Sequence, residues 1–295
     1  MKLIVETDLG GDADDFFALL YLISAGVDIK AIILSPGYKD QVAIARFICK
    51  ELGIDVPIGS GRPDSPKTAE RGFHHKIMDK CGYKKRVEDS DGLGSMLIKT
   101  ILNKDPDCEF FGCGPLLSMG EYLNSISTQP ELKLPQRATM QGGFLSYNYY
   151  KPNIFVERFL GKLTCPSFNM NGNKEGIIRF INASIPERRF VGKNVCHTLV
   201  YDKGVHQKVI NSATKNDAQA LFKKSMTMFV AIYGDKKFHD PFAAVCHLHP
   251  EIATWLQGKP YCVKGEWGVN IGGGQDYIVA DVDRELFWKH IVEGN

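Results

Sequence analysis

The chain has 295 residues, of which 44% are hydrophobic and 24% are charged, an ordinary composition for a globular protein. Its 36 basic residues nearly balance its 34 acidic ones, so the net charge of +2 does not point to a nucleic-acid partner. The longest apolar stretches are too short to cross a bilayer, which argues against a membrane partner.

Strand and helix patterns alternate along the chain, in the manner of an α/β protein. Apolar or β-branched runs predict strands at 3–5, 29–34, 56–59, 108–112, 137–140, 261–264 and 276–282. Helical periodicity predicts helices at 16–22, 42–52 (ending at Gly53), 94–102, 114–123 (with its preceding turn), 173–181, 217–233 and 285–292. This alternation favours a doubly wound, mostly parallel sheet with helices on both faces.

The segment 61–91 interrupts the alternation, because it is polar, contains proline and carries His74 and His75. We interpret it as a long loop or short-helix excursion close to a functional site. Since no repeat, low-complexity tract or linker is visible, we expect one domain over residues 1–295.

The eight cysteines are scattered and contain no Cys-x-x-Cys pair, so they do not indicate a zinc site. Several lie in apolar runs, as reduced core thiols do. Charged and turn residues begin at Glu6, which does not fit a secretory signal. We therefore expect a cytoplasmic protein.

Four aspartates, Asp8, Asp12, Asp14 and Asp15, follow the first predicted strand within eight positions. One aspartate at a strand-to-helix turn commonly caps the helix. Four exceed what capping needs, and clustered carboxylates repel one another unless a cation lies among them. The carboxyl ends of parallel strands are also where ligands bind in such folds. The pattern therefore predicts a site for a hard cation such as Ca²⁺ or Mg²⁺.

A second carboxylate site stands late in the chain, at His239-Asp240-Pro241. Asp followed by Pro and an apolar run is typical of a helix start, so a capping Asp240 beside a surface His239 is one interpretation. The other is that Asp240 supplies a further metal carboxylate and that His239 donates a proton.

At this point the sequence resembles the inosine–uridine-type nucleoside hydrolases. The segments that carry the resemblance keep the family's order and cover nearly the whole chain: Asp8-x-Gly10 with Asp14-Asp15-Phe16-Phe17-Ala18-Leu19, Asp91-Gly92-Leu93-Gly94, Gly112-Cys113-Gly114-Pro115-Leu116, Met140-Gln141-Gly142-Gly143, Ser167-Phe168-Asn169, His239-Asp240-Pro241 and Ile278-Val279-Ala280-Asp281-Val282-Asp283 with Phe287.

The resemblance implies Ca²⁺-dependent hydrolysis of an N-glycosidic bond, giving free base and ribose, in a homo-oligomer (dimer or tetramer). It implies that the metal ligands are Asp8, Asp15, Asp240 and the backbone carbonyl of Cys113. It also implies that Asp8 is the general base for a metal-bound water and that His239 lies beside the leaving base. Asp14 and Asn169 would bind sugar hydroxyls.

The chain departs from the family pattern around the sugar. Two extra residues separate Asp8 from Asp14, and Asp12 among them is an alternative ligand or sugar contact. Glu6 replaces the usual first aspartate, and Ser167 replaces a glutamate that helps to hold ribose. Residues 35–41 replace the family's Gly-Asn contact, and we expect Tyr38 and Asp40 to bind substrate there.

These departures leave three functions open: hydrolysis of a plain nucleoside, hydrolysis of a modified nucleoside, nucleotide or dinucleotide ribosyl bond, and metal-dependent binding without catalysis. Lys39 as a phosphate contact motivates the second. A phosphatase is a distant fourth, because Glu6 stands where it would need an aspartate. Aromatic clamps for the base are expected among Phe238, Tyr147, Tyr149 and Tyr150.

Overall fold

The structure, a computed structural model, describes residues 1–68, 72–126 and 128–295. Its strands are β1 (Lys2–Thr7), β2 (Asp28–Leu34), β3 (Ile58–Ser60), β4 (Gly92–Leu93), β5 (Glu109–Cys113), β6 (Arg137–Gln141), β7 (Cys165–Pro166), β8 (Glu187–Val191), β9 (Val200–Tyr201), β10 (Lys236–Lys237), β11 (Ala253–Val263), β12 (Glu266–Ile271) and β13 (Asp276–Val282). Its α-helices are α1 (Asp14–Ser24), α2 (Lys39–Leu52), α3 (Phe73–Lys80), α4 (Gly94–Lys104), α5 (Leu117–Ile126), α6 (Phe168–Gly172), α7 (Lys174–Asn182), α8 (Lys193–Cys196), α9 (Lys203–Asn211), α10 (Asp217–Tyr233), α11 (Asp240–Leu248) and α12 (Arg284–Glu293).

The chain divides into two compact units, each built from three segments. The first unit comprises Met1–Phe16, Val27–Ala138 and Asn169–Pro186, and the second comprises Phe17–Gly26, Thr139–Phe168 and Glu187–Asn295. The single-domain expectation for residues 1–295 stays a prediction.

The first unit contains a parallel sheet with the strand order β4-β3-β2-β1-β5. The central strand β1 is buried from Leu3 to Thr7, as expected for a parallel strand covered on both faces. In the ladder, Thr7 pairs with Leu34 on one side and with Cys113 on the other. The carboxyl ends of β1, β2 and β5 therefore lie at one edge of this sheet.

The second unit contains the strand order β6-β8-β13-β11-β12-β7, with three of the five residues of β6 in this unit. β13 runs parallel to β8, whereas β11, β12 and β7 continue with antiparallel pairing. The mostly parallel α/β class predicted from the sequence is confirmed. The interrupting segment 61–91 contains α3, as predicted, while its residues 69–71 lie outside the described residues.

Within the described ranges, no helix is both long enough and hydrophobic enough to cross a bilayer.

Candidate active site

Three of the four N-terminal aspartates come together at the end of β1. Asp8 follows the strand directly, Gly10 turns the chain with a φ of +116°, and Asp14 and Asp15 open α1. Asp14 and Asp15 are buried, while Asp8 keeps part of its surface open. Asp12 is exposed, and its Oδ1 accepts a hydrogen bond from the next backbone N–H at 2.6 Å. The structure thus gathers Asp8, Asp14 and Asp15 and turns Asp12 toward solvent.

The crowding of these carboxyls has an electrostatic consequence. Burial, followed by the nearby charge of Asp15 and a hydrogen bond with it, raises the pKa of Asp8 well above its usual range. Burial and the charge of Asp14 raise the pKa of Asp15 to about 7. Burial and mutual repulsion of carboxylates raise pKa values in this way. The donor set is all oxygen and suits a hard divalent ion.

Neighbouring strands hold Asp15 and supply a further oxygen. The Thr7 hydroxyl donates a hydrogen bond to Asp15 Oδ1, and Cys113 Sγ approaches the same oxygen at 3.5 Å. Asn169 Nδ2 donates to the carbonyl oxygen of Cys113 at 3.0 Å. A Cβ at Gly114 would lie only 2.8 Å from the backbone nitrogen of Asp8. Glycine there lets the end of β5 approach the aspartate cluster closely.

Gln41 is a site residue that the sequence analysis missed. Its Nε2 donates to the backbone carbonyls of Asp8 (3.2 Å) and Leu9 (2.8 Å). Its Oε1 accepts from the backbone N–H groups of Gly37 (3.0 Å) and Tyr38 (2.9 Å). Gln41 is itself buried, and its hydrogen bonds with Gly37 and Leu9 form out of bulk water. One amide therefore ties the loop after β1 to the turn before α2.

Glu6, which departs from the family pattern, is positioned to cap a helix. Its carboxylate accepts hydrogen bonds from the backbone N–H groups of Ser118 and Met119, each at 2.9 Å, and from the Ser35 hydroxyl. Ser118 and Met119 lie in the first turn of α5, whose N–H groups need acceptors. Burial raises the pKa of Glu6 to about 7. Ser35 is also engaged here, although the sequence placed its segment at the sugar.

The turn before α2 carries the two predicted substrate residues. Tyr38 is partly exposed at the N-cap position of α2, and Asp40 is buried in the first turn. Their contact with substrate stays a prediction. Lys39, proposed as a phosphate contact, points to solvent and pairs with Asp89 at 2.7 Å. An exposed lysine with a partner gives no support to a phosphorylated substrate.

The histidines of the excursion are buried in α3. His74 packs edge-on against Phe16, with ring centroids 5.7 Å apart. Neither of its ring nitrogens has a hydrogen-bond partner among the residues the structure describes. Burial lowers the pKa of His74 to about 3, so its imidazole is neutral. His75 is likewise buried, and a role for either ring at the site stays a prediction.

In the second unit, His239 and Asp240 stand at the start of α11, with Pro241 in the first turn as predicted. Asp240 is buried and His239 partly exposed.

The ring of His197 lies 4.9 Å from that of His239. Arg158 reaches His197 Nδ1 at 2.8 Å, and since arginine only donates, that nitrogen accepts. Burial, followed by the charge of His239, lowers the pKa of His197 to about 3. His239 therefore has a neutral imidazole as its neighbour, which the sequence did not reveal.

Two of the expected aromatic clamps are core residues instead. Phe238 is fully buried and stacks on Tyr201 with ring centroids 4.9 Å apart. Tyr147 is buried, and its hydroxyl donates to the carbonyl of Asn194 at 2.8 Å. Aromatic residues beside a site motif pack inward whenever their strand or turn faces the core, and the sequence does not show that orientation. Tyr149 is exposed and Tyr150 partly so, and their roles stay predictions.

Ser167 supports a turn of the second unit. Its Oγ accepts a hydrogen bond from the backbone N–H of Gly143 at 3.2 Å, directly after β6. The side chain is buried, so this bond stabilises the Gly142-Gly143 turn that the sequence identified.

The fold and the carboxylates at its strand ends define an α/β protein with an acidic site at the carboxyl edge of its parallel sheet. The chain belongs to the inosine–uridine preferring nucleoside hydrolase family, whose model matches residues 3–289. The resemblance seen in the sequence motifs is thereby confirmed, and with it N-ribosyl nucleoside hydrolase activity as the enzyme class. No curated protein sequence matches the chain.

Solved structures show the same fold at low sequence identity. A plant nucleoside hydrolase superposes with a TM-score of 0.76 and 16% identity, covering 99% of this chain and 98% of that one. The inosine–uridine preferring nucleoside hydrolase from Bacillus anthracis gives 0.71 and 16%, covering 100% and 99%. A purine-preferring ribonucleoside hydrolase from Gardnerella vaginalis gives 0.66 and 15%, covering 100% and 98%.

Proposed function

We propose that this enzyme is a Ca²⁺-dependent hydrolase of ribonucleosides that releases free base and ribose. The observation that carries the proposal is the gathering of Asp8, Asp14 and Asp15 at the end of β1, beside the carbonyl of Cys113. Buried carboxyls clustered in this way fit a cation with oxygen ligands. Family membership supplies the reaction class.

In this proposal Asp8, Asp15, Asp240 and the carbonyl oxygen of Cys113 hold the ion. A bound Ca²⁺ supplies Lewis acidity and a flexible coordination shell with room for sugar hydroxyls. Asn169, which donates to that carbonyl, fixes its direction. Thr7 does the same for Asp15.

The chain's own residues then divide the chemistry as in an inverting glycosidase. Asp8 accepts the proton of the water that attacks the anomeric carbon, since it alone of the three carboxyls is partly open. The C–N bond breaks with its electron pair going to the base. His239 donates a proton to that base, and Asp14 and Asn169 orient sugar hydroxyls.

Cytoplasmic location and a homo-oligomeric state belong to the same proposal. None of the eight cysteines, all of which lie among the described residues, forms a disulfide, as expected in a reducing compartment. The dimer or tetramer rests on the family resemblance alone.

A substrate panel tests the function. Reducing-sugar release should be fastest with a plain nucleoside, compared with the matching nucleoside monophosphate and NAD, because Lys39 is paired with Asp89. Faster release from the phosphorylated compounds would transfer the proposal to a nucleotide substrate. Nucleoside binding without sugar release would instead favour a binding protein.

Gln41→Leu should lower kcat/KM for the best nucleoside by roughly 10²-fold, the cost of displacing a catalytic group by about 1 Å. Leucine fills a similar volume but leaves the carbonyls of Asp8 and Leu9 without their donor. Steady-state kinetics and thermal melting measure the effect. Gln207→Leu on α9, where the amide contacts exposed Asn211, is the matched control and should keep the wild-type rate. A Gln41→Leu enzyme with wild-type kinetics would show that catalysis does not need the hydrogen bonds between Gln41 and the loop after β1.

A further inference from the structure

A second cluster of metal-binding side chains lies in the second unit, where α11 and α12 end. His249 is the C-cap residue of α11, and His290 lies in the last turn of α12. With Glu251 they bring one ligand atom each to within 4.8 Å of one another. The two imidazoles face each other, with ring centroids 3.8 Å apart and planes inclined by 19°. His249 Nδ1 lies 3.3 Å from Glu251 Oε1.

The backbone that carries these side chains is well fixed. Glu251 lies in a 3-10 turn at Pro250–Ile252, directly after His249. The indole N–H of Trp255 donates to the carbonyl of Pro250 at 2.8 Å. The N–H of Asp283, the N-cap residue of α12, donates to the carbonyl of Ile252 at 2.7 Å. The turn is thus joined to the helix that carries His290, so the ligand positions are preorganised.

The hydrogen bond made by His290 selects its tautomer. Nδ1 lies 2.8 Å from the backbone oxygen of Asn295, which only accepts, so Nδ1 carries the proton and Nε2 keeps its lone pair. A histidine ligand commonly donates its other N–H to a carbonyl in this way.

The local field also favours a cation. Both histidines lie at helix C-termini, where the helix dipole is negative. Glu251 and Glu293 add negative charge near His290. A divalent ion placed among His249, Glu251 and His290 would accept a lone pair from each of the three side chains.

We propose that His249, Glu251 and His290 form a second metal site that binds a transition-metal ion such as Zn²⁺. Two imidazole nitrogens and one carboxylate oxygen suit Zn²⁺, with bonds of about 2.0–2.2 Å. Side-chain rotations that draw the donors in by roughly 1 Å complete the tetrahedral spacing. The nine residues of α11 separate this site from Asp240, a distance of about 13 Å along the helix axis.

Zinc binding to the intact enzyme tests the site. The protein is dialysed against Zn²⁺ in an excess of Ca²⁺, which occupies oxygen-only sites, and bound zinc is measured by elemental analysis. Wild type should bind one equivalent of zinc more than the His249→Gln/His290→Gln double variant. His206→Gln, at a partly exposed histidine elsewhere in the unit, is the control and should keep that equivalent. Added Zn²⁺ should raise the melting temperature of wild type but not of the double variant.

Glu251→Gln gives an independent reading, because this side chain is 64% exposed and its replacement should leave the fold intact. Loss or weakening of the same zinc equivalent supports the three-residue site. Equal zinc content in wild type, the double variant and Glu251→Gln overturns it. The result does not depend on the proposed hydrolase function, since the readout is metal content.

Discussion

Asp8→Asn should reduce sugar release at saturating nucleoside by about 10³-fold, within the range that a general base contributes. Asparagine has nearly the shape of aspartate but cannot accept the proton of the attacking water. The same change should raise the melting temperature of the metal-free protein by about 2 °C or more, the shift that 1 kcal/mol produces in a large domain. The reason is that one charge leaves a cluster in which Asp8, Asp14 and Asp15 repel one another.

The opposite directions of these two effects make the test specific. A residue with a purely structural role would lose activity and stability together, whereas a catalytic carboxylate held against repulsion loses activity and gains stability. Asp12→Asn is the matched control, because Asp12 is exposed in the same loop and should leave both quantities nearly unchanged. An Asp8→Asn enzyme that keeps its rate would remove Asp8 as the base. A large loss in Asp12→Asn would make Asp12 the functional residue of the inserted loop.

Local patterns predicted the elements that carry the aspartates, because sequence neighbours determine them. A buried run followed by turn and helix signals was sufficient to place Asp8 after β1 and Asp14 in the first turn of α1. Gly53, predicted to end α2, does so with a φ of +62°. Such features need no knowledge of distant contacts.

Of the second unit's strands that were not predicted, the two longest, β8 and β12, escaped for identifiable reasons. β8 contains Arg188 and Arg189, and its charge hides a buried strand. Arg188 is compensated by Asp276 of the adjacent β13, at 2.6 Å, which the sequence does not reveal. β12 follows a tight turn at Lys264-Gly265, where both residues have positive φ. Such turns usually contain asparagine or aspartate before glycine. Lysine at that position therefore only weakly predicts a turn.

Gln41 and His197 could not be predicted as site residues, because each contacts a residue that lies far away along the chain. Gln41 binds carbonyls more than thirty positions away, and carbonyls carry no sequence signature. His197 is separated from His239 by 42 positions along the chain, yet their rings lie 4.9 Å apart. Only the folded chain reveals either contact.

Chelation should abolish nucleoside hydrolysis, and Ca²⁺ should restore it more fully than Mg²⁺. Burial and the charges of neighbouring aspartates raise the pKa of Asp8 and of Asp15, so removing the ion restores the repulsion among these carboxylates. Ca²⁺ tolerates an irregular shell of carboxylate and carbonyl oxygens, whereas Mg²⁺ demands near-octahedral geometry and retains its water. At a Ca²⁺ concentration of 100 times Kd, the bound ion should stabilise the fold by about 2.7 kcal/mol.

Activity and thermal melting, each measured across a Ca²⁺ titration, provide two readings of one binding event. In wild type the melting temperature should begin to rise near the Ca²⁺ concentration that gives half-maximal activity, because the ion that stabilises the fold is the ion that the reaction needs. In Asp15→Asn the Ca²⁺-dependent rise in melting temperature should disappear together with activity, while Asp55→Asn, at an exposed loop aspartate, should behave as wild type. Full activity after exhaustive chelation would contradict a metal-dependent site. A Ca²⁺-dependent melting shift that survives in Asp15→Asn would place the stabilising ion elsewhere in the chain.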